Sequence, residues 1–206
     1  MNQISQYFLR EIRPRMYAFL TRILYHDKNI KIGNNFRADS IPKIIFDNGS
    51  KLIIGNNVEF RRNIEIRVHK SSELFIGNDC RIDRGVRLLV SNGASIIMES
   101  KVRVGLYTVF NGGDSIKIGA GALISGFVYI QTSMHGHSNS TLSFQDQGYT
   151  HGQVEIGQNV WIGTHAIVLP GISVGKNAII GSNAVVTKNI ELGDVVAGVP
   201  AKSIKK

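Results

Sequence analysis

From position 156 onward, aliphatic side chains recur every six residues: Ile156, Ile162, Val168, Val174, Ile180 and Val186. Four residues after each stands a second apolar and often small residue, the series Val160, Ala166, Ile172, Ala178, Ala184 and Ile190. A period of six fits neither a 3.6-residue helix nor a ladder of long strands. It predicts a short strand followed by a tight turn, three times per coil, with both apolar residues of each hexad pointing into a triangular prism. The same register runs upstream in triplets: Ile54, Phe60 and Ile66; Ile76, Ile82 and Leu88; Met98, Val104 and Phe110; Ile118, Ile124 and Ile130. A weaker first triplet is Ile32, Ala38 and Ile44. The pattern predicts an all-β parallel β-helix of about seven coils over residues 30–190. Such coils pair in parallel and bury one continuous ladder. The extra residues between early coils, such as Asp47-Asn48-Gly49-Ser50 and Ser91-Asn92-Gly93-Ala94, supply turns with positive φ.

Two segments depart from the hexad. Residues 1–29 instead space Phe8, Leu9, Ile12, Met16, Phe19, Leu20, Ile23 and Leu24 at three and four positions, an amphipathic helix. Pro14 is expected to kink or divide it. Arg10, Arg13, Arg15 and Arg22 make it basic. Two readings stand: a cap over the open end of the first coil, or peripheral contact with an anionic membrane face. The second departure lies after Ile130, where the register resumes only at Ile156. About twenty residues are extruded in the loop 131–155, which carries three of the six histidines, His135, His137 and His151. A break in a regular scaffold is where function tends to sit. Residues 191–206 are read as a C-terminal tail.

Composition narrows the class. Net charge is +9, which favours anionic partners: nucleic acid, an anionic membrane face or a phosphorylated cofactor; of these, nucleic acid is not expected. The single cysteine, Cys80, occupies a small inward position and reads as an inert core thiol in a reducing compartment. No apolar run approaches the ~18 residues of a spanning helix, and arginines interrupt any signal-peptide core. The expected location is cytoplasmic, with peripheral contact at the inner membrane face as the extension of the helix reading.

The hexads, together with the segments NVWIG, GSNAVVTK and AGVPAK between Ile156 and Ile204, resemble the hexapeptide-repeat acyltransferase superfamily. The resemblance is to its galactoside, maltose and polysaccharide O-acetyltransferases. It implies a left-handed β-helix, a homotrimer, acetyl-CoA as acyl donor, no metal, and a carbohydrate acceptor in a surface polysaccharide, lipopolysaccharide or precursor. An amino sugar, a free sugar or an antibiotic is the alternative acceptor; a γ-carbonic-anhydrase-like zinc enzyme or a non-catalytic scaffold is the alternative class.

Matched onto the family's pattern, His135 takes the place of the catalytic base. An imidazole ionising near 6.5 suits removal of a hydroxyl proton at neutral pH. His137 is the second candidate, for catalysis or acceptor binding, and Trp161 is assigned to the pantetheine arm, the acceptor or trimer packing. Gly163, Thr164, Gly181 and Ser182 match backbone contacts to the pantetheine arm, Thr187 and Lys188 the nucleotide end, and Lys202 and Lys205 the basic tail that meets CoA phosphates. Gly136 stands where the family commonly has proline. His165 is expected to be structural.

Overall fold

A computed structural model describes residues 3–204. After an N-terminal helix, the chain winds through seven coils spanning 30–46, 51–68, 73–90, 95–112, 116–131, 154–168 and 173–186. Each coil contributes one short strand to each of three parallel sheets, which form the faces of a prism. The first strand of every coil builds face one, the second face two, the third face three. Every member of the predicted triplets from Ile54 to Val186 is buried, as is the complete small-residue series from Val160 to Ile190. Cys80 is wholly inside, and burial pushes its thiol pKa up.

Coil length is not constant. Successive face-one partners lie 22 residues apart at Leu52 and Leu74, 20 at Ile96 and Ile116, 38 at Ile116 and Val154, and 18 at Glu155 and Ser173. The single jump of 38 contains the extruded loop, and all coils on either side stay in register. Beyond Ile190 the chain adds one further strand, Val195–Ala197, to face two, and turns back through the antiparallel strand Lys202–Ser203.

The outward side chains fall into vertical columns that change character halfway up. On face two the column reads Arg37, Glu59, Arg81 and Arg103, then Leu123, Trp161 and Ile179. Face three reads Lys43, Glu65 and Arg87, then Val109, Tyr129, Ile167 and Val185. The lower columns are laced by ion pairs, including Arg87 to Glu65 at 3.0 Å and Arg81 to Glu59 at 3.5 Å. Burial alone would raise the pKa of Glu65, but the hydrogen bond from Arg67 and the charges of Arg87, Arg67 and Lys43 outweigh it and hold the carboxyl below its ordinary value.

The N-terminal segment is helical from Gln3 to Leu24, with a π-turn over Phe8–Ile12 directly before Pro14. Proline thus divides the helix, as its missing N–H and ring volume demand. Pro14, Ala18 and Thr21 are buried. Arg22 donates to the carbonyls of Ile32 (2.6 Å) and Gly33 (2.5 Å) in the first coil, and Tyr25 Oη donates to Pro42 O at 2.9 Å. The helix therefore caps the open end of the prism.

Candidate active site

The extruded loop is not irregular throughout. It leaves face three after Gln131 and starts with an antiparallel hairpin, Ser133–His135 against Tyr149–His151, before returning to face one. Its base is pinned by Thr132, which is fully buried. The Thr132 hydroxyl accepts from Asp114 N (2.9 Å) and lies within donating range of Asn111 O (3.0 Å) and Asp114 O (3.2 Å). Gly152 N donates to Thr132 O at 2.9 Å and closes the neck. Thr132→Val keeps the volume but strands the Asp114 N–H. Chemical denaturation should show a loss of about 1–3 kcal/mol, with Thr132→Ser close to wild type; equal stability of all three chains would remove Thr132 as the anchor.

Alternation along the hairpin puts Ser133, His135, Tyr149 and His151 on one side. The His135 and Tyr149 rings pack with centroids 4.4 Å apart, and Tyr149 and His151 with centroids 6.4 Å apart. Ser133 Oγ lies 2.9 Å from His151 Nδ1. The close approach of this pair to the coil below depends on Gly113, where a Cβ would stand 2.0 Å from Ser133 Oγ. A groove of about 580 Å³ opens beneath, lined by Asn92, Gly93, Gly113, Asp114, Tyr149 and His151 among others. His135 is exposed, and the face of Tyr149, not a carboxylate, supports its ring. His137 Nδ1 sits 3.4 Å from the His135 carbonyl, two residues along and past the end of the paired strand Ser133–His135. Sequence reasoning missed Ser133, Tyr149 and His151 as neighbours of His135. The signal was present in the alternation Ser-Met-His and Tyr-Thr-His, which two short strands would produce.

The residues matched to the CoA arm stand elsewhere on the prism. Gly163, Thr164, Gly181 and Ser182 follow the face-two strands, at the corner between faces two and three. The loop histidines and also Thr187 and Lys188 lie at the corner between faces three and one. Lys202 pairs with Ala197 at the end of the prism, and Lys205 lies outside the described residues. Gly163 has a packing reason of its own: a Cβ there would stand 2.5 Å from Ser182 N in the next coil. Thr164 Oγ1 donates to Gly126 O at 2.8 Å, and Trp161 projects outward, half-exposed, with Nε1 3.4 Å from Ser125 Oγ.

At this same corner, three consecutive coils hold an aromatic residue at positive φ: Tyr107 (54°), Phe127 (59°) and His165 (59°). Bulky residues seldom adopt that conformation. Their rings form one stack, Tyr107 to Phe127 at 5.5 Å and Phe127 to His165 at 4.9 Å. His165 is thus part of a ladder.

Residues 153–188 match the family described as bacterial transferase hexapeptide (six repeats). The chain is 34% identical over 118 residues to the "Putative lipopolysaccharide biosynthesis O-acetyl transferase WbbJ" of Escherichia coli K12, covering 54% of this chain and 60% of that protein. It is 40% identical over 111 residues to a chloramphenicol acetyltransferase of Agrobacterium fabrum, covering 46% of this chain and 53% of that one. The chain therefore spans little more than half the length of these curated relatives. Among solved structures, the hexapeptide prism superimposes on the polySia specific acetyltransferase NeuO with a TM-score of 0.71 at 22% identity, over 86% of this chain and 82% of that one. AntD, an N-acyltransferase from Bacillus cereus solved with dTDP and 3-hydroxybutyryl-CoA, superimposes with a TM-score of 0.56 at 18% identity, over 91% and 86%. These likenesses establish the shared fold.

Proposed function

We propose that this chain is an acetyl-CoA-dependent O-acetyltransferase acting on a sugar hydroxyl of a surface polysaccharide, lipopolysaccharide or its precursor. The observation that carries the reading is the imidazole-bearing hairpin at the one break in a hexapeptide prism. The E. coli and NeuO names support the acyl transfer and the carbohydrate acceptor. His135 takes the acceptor hydroxyl proton as that oxygen attacks the thioester carbonyl. The tetrahedral oxyanion collapses, the C–S bond breaks, and the imidazolium returns the proton to the departing CoA thiolate. His151, fixed by Ser133, faces the groove in which the acceptor lies. The donor runs along Gly163, Thr164, Gly181 and Ser182, with Lys202 and Lys205 toward its phosphates. Supply of acetyl-CoA places the reaction in the cytoplasm.

The acting unit is a homotrimer. Within one chain the hairpin and the CoA corner are separated by a whole face, up to ~20 Å at ~3.3 Å per residue. Packing around a threefold axis sets one chain's hairpin beside its neighbour's CoA corner. The change from charged to apolar columns at Val109 and Leu123, and the stack Tyr107–Phe127–His165, mark the surface that would be covered. Sedimentation equilibrium should give three times the 22.7 kDa chain mass. Tyr129→Glu with Ile167→Glu should reduce it to one chain and abolish turnover. A wild type that is active at the single-chain mass would overturn the trimer.

Thiol release from acetyl-CoA, measured against surface polysaccharides, lipopolysaccharide, free sugars and chloramphenicol, tests the function. A glycan-dependent rate is expected. The 40% identity to a chloramphenicol acetyltransferase favours a second reading, and a rate with chloramphenicol alone would select it. No acceptor-dependent release with any of them would remove acetyl transfer itself.

A further inference from the structure

The N-terminal helix has two apolar faces, and the cap uses only one. Pro14, Ala18 and Thr21 lie against the first coil, and Glu11 reaches Arg37 at 3.3 Å. On the opposite side Phe8, Ile12, Met16, Phe19, Ile23 and Leu24 are all exposed, Phe19 and Leu24 by 62% each. Ile4, Phe8, Ile12 and Met16 are spaced by four residues. In an unbroken α-helix that spacing drifts by about 40° per step. The wider π-turn at Phe8–Ile12 offsets the drift and keeps these side chains on one stripe with Phe19 and Ile23. A stripe of this extent is far more than an isolated surface helix leaves in water.

We propose that this stripe docks the protein on a lipid surface bearing anionic headgroups. Charge decides the occupant. Residues 1–31 contain six basic residues against two acidic, Glu11 and Asp27. Glu11 is taken up by Arg15 and Arg37, and Asp27 accepts from Asn29 N. Arg15, Lys28 and Lys31 are exposed on or beside the helix, whereas Arg10 lines the groove on the cap side with Arg13 and Arg37. Two such faces brought together would repel one another, whereas acidic headgroups complement them. The helix from Gln3 to Leu24 is about 33 Å long at 1.5 Å per residue, and no described helix is long and apolar enough to cross a membrane. It therefore lies in the plane of the interface. The solenoid stands on it, because the cap contacts are on the other side.

The test is co-sedimentation of the full chain with phosphatidylcholine vesicles, with and without phosphatidylglycerol. Binding is expected only with the anionic lipid and should fall as salt rises. Arg15→Gln and Lys28→Gln should each weaken partitioning, on the order of fivefold. Phe19→Glu with Ile23→Glu should abolish it while the circular dichroism spectrum and thermal transition stay those of the wild type. Wild-type protein remaining in the supernatant overturns the proposal, as does equal binding by the double variant. A vesicle-free assembly that dissociates only in the Phe19→Glu, Ile23→Glu variant would assign the stripe to a second copy of the chain instead.

Discussion

His135→Ala should lower kcat by roughly 10²-fold or more while acetyl-CoA affinity and the melting transition stay near wild type. Three features combine in this expectation. His135 lies outside the hexad register and is exposed on the hairpin, so no core cavity opens when it is shortened. Its ring meets Tyr149 and not the prism, and loss of one exposed ring contact stays within about 0.5 kcal/mol. The groups assigned to the donor stand at another corner, so affinity for acetyl-CoA by calorimetry should not follow kcat. His137→Ala is the internal control and should cost much less, because His137 lies beyond the paired strand Ser133–His135 with its ring against the His135 carbonyl. His151→Ala should raise KM for the acceptor more than it lowers kcat, since His151 faces the groove. A variant at 135 with wild-type kcat, beside a collapsed variant at 151, would move the base across the hairpin. Full activity in both would end the imidazole-base mechanism.

Phe110→Ala should cost about 3–5 kcal/mol. Phe110 is fully buried in the fourth coil, between Leu88 below and Ile130 above. Each coil is supported only by its neighbours, so a cavity in the middle of the stack cannot be closed by collapse from the sides. At ~2–4 °C per kcal/mol for a chain of this size, the calorimetric midpoint should fall by about 6–20 °C. Phe144→Ala removes the same side chain from the loop, where it is 68% exposed, and should change stability by less than about 0.5 kcal/mol. Equal midpoints for both variants would contradict an aromatic core at that level.

The contrast between these two phenylalanines shows what can be read without coordinates. Whether a hexad residue points inward is decided within its own six positions. The prism interior is closed and must be filled by apolar side chains, so Ile54, Phe60, Ile66 and their successors carry the fold in plain sequence. The break after Ile130 was legible for the same reason, because a missed beat in a strict period has nowhere to hide. The amphipathic spacing before residue 28 was equally local, and so was the proline that divides it.

The rest depended on which residues stand above one another, and that is set by coil length. With steps of 22, 20, 38 and 18 residues, Arg103 lies under Leu123 and Leu123 under Trp161. No fixed period along the chain brings such partners together. The change from ion-paired to apolar columns, and the stack Tyr107–Phe127–His165, therefore became visible only in three dimensions. The hairpin inside the loop follows the same logic: Ser133 and His151 are eighteen residues apart and meet because Thr132 and Gly152 close the neck between two coils. The helix shows it once more. Its spacing announced an apolar face, but only docking against the first coil separated the small buried side, Pro14, Ala18 and Thr21, from the large exposed one. An apolar pattern records that burial is needed; which surface provides it is a property of the assembled chain.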